Sequence, residues 1–366
     1  MPYPRFDLQQ LRVLPLAQRK SLTRFEEIRI DPDSPPPDAG PLRETIRRLA
    51  ETILSARARG ASVMLAYGAH LVRNGMGPAL IRMMEAGWLT HLATNGAGTI
   101  HDWEYSFAGR STESVRDNVA TGTFGAWEET GRYINLAVTA GVAEDMGYGE
   151  ALGRFIAEDG VTLSAPDALR QAVRESPDDA LAAARCDLLA WMNRHGESPG
   201  RCTVAHPWKA GSLLANAYRL RVPLTVHPGI GYDIISNHPA FSPAAIGRAA
   251  GLDFQTFTQS VLNLSGGVFL SVGSAIMAPQ VFEKAMSDAN NLLLREGKHI
   301  ENHTLAIVDI QDGGGWDWNQ GEPPKNNPAY YLRFCKSFYR MGGALHYLCA
   351  DNRLVLHNLY AMLKNQ

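Results

Sequence analysis

Cysteine is scarce: Cys186, Cys202, Cys335 and Cys349 are the only four in 366 residues, and none stand at C-x-x-C spacing. So few thiols at such distances build neither a disulfide scaffold nor a cysteine metal site, and reduced thiols in a reducing compartment are expected. Charge of one sign is lacking too. The chain carries 35 Lys and Arg against 37 Asp and Glu, spread along its length for a net charge of -2. Such a chain has no field to gather a polyanion, so nucleic acid is not expected as a partner. No run of about 18 apolar residues occurs, and the opening MPYPRFDLQQLRVLPL has no signal-peptide apolar core, so a soluble, cytoplasmic protein without a membrane partner is expected. G-x-G-x-x-G, the Walker A sequence and H-E-x-x-H are all missing. Their absence excludes the standard dinucleotide fingerprint, a phosphate-loop ATPase and a zincin. His299 and His303 straddle a helix end and a strand start, which does not suit a metal, and none is expected.

What is present is alternation. A chain of this length with 45% hydrophobic residues can bury one large core or two modest ones. Residues 1–40 have little periodicity and end in the proline cluster DPDSPPPDAG, which reads as an extended N-terminal arm. From 41 to 366 the pattern reads as a single α/β domain. An amphipathic helix over 42–59 leads to a strand over 61–67. A helix opening at Pro78 places Leu80, Ile81, Met84 and Trp88 at helical spacing before a strand over 89–94. A polar, helix-rich insertion over about 142–200 is expected to cover one side of the sheet. Helices over 213–220, 253–262 and 279–295 then alternate with strands over 223–226, 267–272, 304–310 and 344–349. Strands separated by helical crossovers predict a doubly wound, mostly parallel sheet with helices on both faces.

In such sheets ligands gather at the carboxyl ends of the strands. The segments following the predicted strands are rich in small residues: Gly68-Ala69-His70, Thr94-Asn95-Gly96-Ala97-Gly98, His227-Pro228-Gly229, Gly273-Ser274 and Asp312-Gly313-Gly314-Gly315. Small residues let backbone donors approach a phosphate or a flat ring, and their recurrence points to a nucleotide. Acids and imidazoles follow two of these loops: His101, Asp102 and Glu104 in one case, Asp233 and His238 in the other. Scattered histidines such as His91, His195 and His357 read as satisfied structural groups. Lys336, in YYLRFCK, has aromatic neighbours whose burial would favour the neutral amine that imine chemistry requires; a lysine snorkelling from an apolar surface is the alternative.

The segments LAYGAHLVRNGMGPALIRMMEAGWLTHLATNGAGTIHDWE, VPLTVHPGIGYDIISNHP, VFLSVGSAIMAPQVFEKAMSDANNLLLREG, DIQDGGGWDWN and ALHYLCADNRLV resemble, in order, those of the deoxyhypusine synthase family. The likeness covers roughly 60–136 and 220–360. It implies an NAD-binding fold, a homotetramer with active sites shared between paired subunits, the active-site histidine at His238 and the catalytic lysine at Lys336. By the same resemblance, Thr94, Asn95, Gly96, Ala97, Gly98, Gly273 and Ser274 would carry the nicotinamide and pyrophosphate. Asp102, Asp312 and Asp351 would accept ribose hydroxyls, with Asp233 beside them. The sequence departs from the family where its polyamine is held. His101 stands at an acidic position, Tyr330 stands near a glutamate position, and the loop around His227 is shorter, so a long polycation is not implied. The expected activity is hydride abstraction from a small amine or alcohol with NAD as cofactor, His238 shuttling the proton and Lys336 forming an imine. A non-catalytic NAD-binding regulator and a metal-dependent hydrolase are the alternatives.

Overall fold

The computed structural model describes residues 3–366. The chain sorts into two compact units where the sequence reads as one body. Unit 1 takes 3–27, Thr99–Asn216 and Pro228–Asp253; unit 2 takes Ile28–Gly98, Ala217–His227 and Phe254–Gln366. Local periodicity identifies elements but not the three separate returns of the chain to each core, which is why the division is not visible in the pattern.

Unit 2 holds a six-stranded, wholly parallel sheet: β1 (Val63–Tyr67), β2 (His91–Thr94), β3 (Leu224–Val226), β4 (Val268–Val272), β5 (Thr304–Asp309) and β6 (Ala344–Cys349). The order across the sheet is β3-β2-β1-β4-β5-β6, that of the doubly wound dinucleotide-binding sheet. VMLAY of β1 and VFLSV of β4 are buried at every position, as strands covered on both faces must be. One face is covered by α1 (Arg43–Ala58) and α4 (Asn352–Lys364), which touch each other as well as the sheet. On the other face Met64, Ala66, Phe269 and Ile307 pack with Phe282 and Met286 of α3 (Met277–Leu293) and with Phe334 and Phe338 of the short helix Arg333–Tyr339. The rings of Phe269 and Phe282 stack at 4.1 Å. The expected α/β class and all six expected strands are therefore present.

Unit 1 is largely helical. It contains Glu128–Val142, Tyr148–Ala157, Pro166–Glu175 and Ala182–His195, with two small antiparallel ribbons, Thr23–Arg24 on Arg110–Ser111 and Gly160–Leu163 on Gly200–Thr203. The segment 142–200, helix-rich as expected, belongs to this core; helices of unit 2 pack on both faces of the sheet. Of the extended arm expected over 1–40, residues 1 and 2 lie outside the described residues. Within unit 1 its Arg19 makes a two-pronged pair with Glu104, both side chains about 1–2% exposed. Within unit 2 Asn358 donates from Nδ2 to Pro37 O at 2.8 Å, and Lys364 pairs with Asp33. Proline prevents regular structure but not packing. Among the described residues no helix is long and apolar enough to cross a membrane.

Candidate nucleotide site at the strand ends

The register aligns Tyr67 of β1 with Thr94 of β2 and Val272 of β4, Thr94 with Val226 of β3, and Val272 with Val308 of β5. The next residue of each strand therefore stands in one row along the carboxyl edge: His227, Asn95, Gly68, Gly273 and Asp309, in spatial order. Strand order reverses between β1 and β4, so Gly68 and Gly273 flank the switch point, where a doubly wound sheet opens its ligand crevice.

Close approach explains the glycines there. A Cβ on Gly68 would lie 2.1 Å from the Gly273 carbonyl oxygen, while the Gly68 amide donates to Val272 O at 3.1 Å. Gly273 itself has φ +57° and no atom within 4 Å of where its Cβ would be, so this left-handed residue leaves its backbone open to approach. At the neighbouring loop a Cβ on Gly98 would meet Thr94 Oγ1 at 2.1 Å, and that hydroxyl donates to Tyr67 O at 3.0 Å. Asn95 Oδ1 accepts from Gly98 N at 2.9 Å, capping the start of helix Gly96–Ala108. Ser274 Oγ, 7% exposed as a residue, caps the start of α3 by accepting from Ala278 N at 3.3 Å. Two helix starts thus aim their positive ends at the row, the arrangement that suits an anion.

Toward β6 the edge opens into a cleft of about 640 Å³ whose lining includes Asp38, Asp312, Gly313, Gly315, Tyr347 and Asp351. Asp312 and Asp351, read from sequence as ribose acceptors, are brought together here. Asp312 accepts from Gly314 N at 2.8 Å, and Tyr347 donates from its hydroxyl to Gln311 O at 2.6 Å. Asp351 caps α4 through Arg353 N at 2.8 Å, and the Arg353 guanidinium holds its carboxyl below the usual range. The Gly40 amide, then Arg43, does the same for Asp38. A cleft lined by ionised carboxylates accepts hydroxyls or an ammonium group and repels phosphate.

Lys336 is not among the residues that line this cleft. Its side chain is 15% exposed, its Nζ lies 3.5 Å from the Tyr330 ring centroid and 3.9 Å from Glu322, and Glu322 also pairs with Arg340 at 2.6 Å. The aromatic neighbour read from sequence, Tyr330, presents its ring face to Nζ, with the Glu322 carboxylate also near.

The remaining expected site residues belong to unit 1. Asp102 is 3% exposed and accepts from Ser212 Oγ at 2.6 Å, Leu213 N at 2.8 Å and Leu214 N at 3.1 Å, so its oxygens serve the start of helix Leu213–Leu220 and not solvent. Burial pushes its carboxyl up to about 6, with these bonds opposing. Asp233, 5% exposed, accepts from Gly229 N at 2.7 Å within its own turn and is likewise pushed up to about 6 by burial. His101 Nδ1 meets Ser111 Oγ at 2.7 Å, and Ser111 in turn bonds Glu104. His238 is 2% exposed; its Nδ1 accepts from Ala240 N at 3.1 Å, which puts the ring proton on Nε2, facing Glu128 at 3.6 Å. The His238 ring at that distance, more than any other neighbour, holds Glu128 below the usual carboxylate range.

Sequence reading missed Glu128, because a glutamate in a helix carries no signal of its own, and missed the Arg19–Glu104 pair, whose partners are far apart in the chain. Of the three scattered histidines, His91 is bonded at both ring nitrogens, as expected. Among the described residues the buried Nε2 atoms of His195 and His357 have no hydrogen-bond partner, which differs from the expectation for those two. Among the described residues no group of three or more His, Cys, Asp or Glu could hold a metal ion.

No protein-family model and no curated protein matches the chain. Solved structures similar to it include unliganded AgrE at 12% identity and a TM-score of 0.44, where 88% of this chain covers 33% of that one. A conserved protein assigned to the LOR/SDH group from Methanococcus maripaludis S2 has 14% identity and a TM-score of 0.44, over 92% of this chain and 74% of that one. A ternary complex of AgrE with ornithine and NAD+ has 12% identity and a TM-score of 0.43, over 88% of this chain. The chain thus spans about a third of the AgrE chain, 33%.

Proposed function

We propose that unit 2 binds NAD along the carboxyl edge of its sheet, and that the protein is an NAD-dependent enzyme acting on a small amine or alcohol. One observation carries this: a sheet of order 3-2-1-4-5-6 whose reversal point is flanked by Gly68 and Gly273, with Gly273 open to approach. Gly273, Ser274, Asn95, Gly96, Ala97 and Gly98 would hold the pyrophosphate through backbone donors and two helix starts, with Thr94 bracing the loop from beneath. Asp312 and Asp351 would accept hydroxyls in the carboxylate-lined cleft. When bound, NAD supplies a hydride acceptor. The chain's own part is to orient the ligand, exclude water and accept hydrogen bonds at the Asp312 and Asp351 carboxylates.

The finer reading, chemistry of deoxyhypusine synthase type in a homotetramer, rests on the sequence resemblance. In it Lys336 forms an imine with the oxidised carbon, which first requires Nζ to leave the Tyr330 face and Glu322. Thermal shift and calorimetry with NAD, NADP and ATP test the binding; a protein that responds to none of them does not have this site. Reduction of added NAD+, followed optically with a panel of amines and alcohols, separates an enzyme from a regulator that only binds. Borohydride added during turnover should then trap an adduct on Lys336 that Lys336→Arg lacks, since a guanidinium is not a nucleophile at neutral pH.

A further inference from the structure

Beneath the edge strand of unit 2 lies a chain of four polar side chains, His91, Thr225 and His227 buried and Ser260 half-buried. His91, at the start of β2, meets Ser260 Oγ of helix Pro243–Val261 through Nδ1 at 2.8 Å and Thr225 Oγ1 of β3 through Nε2 at 2.9 Å. The Thr225 hydroxyl is also 3.2 Å from Nε2 of His227, the residue that closes β3 and stands in the strand-end row beside Asn95. Both imidazoles present faces or edges to the same Phe257 ring, with centroids at 5.4 and 5.3 Å and near-perpendicular planes. The backbone is fixed as well, since His227 N donates to Thr94 O at 2.8 Å.

The Thr225 hydroxyl has one proton. It can donate to only one imidazole, so at least one of the two Nε2 atoms that face it carries hydrogen if both contacts are hydrogen bonds. An Nδ1–H tautomer at either ring therefore requires the Nε2–H tautomer at the other. The two rings cannot choose independently. Both stay uncharged at neutral pH: burial pushes His227 down to about 4, and burial followed by the neighbouring His227 pushes His91 down to about 3.

We propose that His227 is a ligand-binding residue of the strand-end site, a neutral imidazole that meets an uncharged polar group such as a hydroxyl or carboxamide, and that His91 is a positioning residue that sets its tautomer through Thr225. The first half rests on the NAD reading above; the second does not. A neutral ring is a poor partner for phosphate and a good one for a group that both donates and accepts. At a buried site a fixed tautomer discriminates between donor and acceptor, because the mismatched partner leaves a polar group unpaired.

Nitrogen-15 NMR of the histidine rings tests both halves on the full chain. The wild type should show His227 as a single neutral tautomer. Thr225→Val, close in shape, should move its ring nitrogens toward the averaged values of an unrestrained imidazole, and His91→Gln should do the same if the valine variant folds poorly. An unchanged His227 tautomer in both variants overturns the relay. With NAD+ as probe, the amides of Gly96, Gly98 and Gly273 report binding and the His227 ring reports contact. Amides that shift while the ring does not overturn His227 as a ligand residue and leave the NAD reading standing. If no amide shifts, that reading and the ligand role fall together, and the relay stands or falls on the variants.

Discussion

Replacing Gly68 by alanine tests the switch-point geometry directly, because the sign of the effect depends on one contact. Gly68 has φ -89° and ψ 166°, an extended conformation that alanine adopts without strain. In an open loop the substitution would stabilise the fold by about 0.4–1 kcal/mol through the unfolded chain's lost freedom. Here the added Cβ would stand 2.1 Å from Gly273 O, so the β1 and β4 loops must part by more than about 1 Å to restore an ordinary contact. Overpacking of that kind costs about 1–3 kcal/mol, which outweighs the entropic gain. The parting would also stretch the Gly68 N to Val272 O bond and shift the Gly273 backbone, and a displacement near 1 Å at a reacting site can cost on the order of 100-fold in rate. Gly273→Ala is the control. It meets no atom, but its φ of +57° costs about 1 kcal/mol. Urea unfolding and NAD+ calorimetry on both variants are the assays. Gly68→Ala should be the less stable of the two and lose most of its NAD+ affinity. A Gly68→Ala protein as stable as wild type with unchanged NAD+ binding would refute the reasoning about the crevice.

Three further outcomes are expected. Glu104→Gln, which strands the buried Arg19 guanidinium and weakens the bonds from Ser111 and Thr130, should cost about 3–5 kcal/mol in urea unfolding; a loss below 1 kcal/mol would mean the pair is hydrated in solution. Stability should fall as pH drops from about 6.5 to 4, because His91, His206 and His227 have folded values pushed down by burial to about 3, 4 and 4, so the unfolded chain takes up protons first. Asp102 and Asp233, raised to about 6, act in the opposite sense over about 6 to 4 but are fewer, and His91→Gln should flatten the measured slope. Light scattering should find a closed homo-oligomer, a tetramer by the family resemblance; a monomer at micromolar concentration would count against shared active sites.

The strands of unit 2 were legible because parallel strands buried on both faces are short apolar runs: glycine closes VMLAY and VFLSV, and TLAIVD is buried between its two end residues. Their order was not legible, since nothing in a run of valines states its neighbour. The two small ribbons of unit 1 were missed for the opposite reason: Arg110–Ser111 and Gly200–Thr203 are short and half-polar, and form strands only because a partner is opposite.

The candidate site divides along the same line. Glycine requirements are written locally, because close approach admits no Cβ at Gly68 and Gly98 and a left-handed φ favours glycine at Gly273, so each could be picked out on its own. Roles that depend on a partner could not. Asp102 follows a small-residue loop as a ligand-binding acid would, yet it is Ser212, Leu213 and Leu214, more than 100 residues on, that take up its oxygens. Lys336 has the aromatic neighbour that sequence suggests, but only the fold shows that the Tyr330 ring turns its face to Nζ. His91 and His227 are two histidines among eleven, 136 positions apart, and only the pairing of β2 with β3 puts one threonine hydroxyl between them. Sequence thus indicates where backbone must come close, whereas the ionisation and hydrogen-bonding state of a side chain is fixed by partners that only the fold supplies. For that reason the glycine row carries the nucleotide reading, and the tautomer of His227 is read by experiments that observe its ring nitrogens.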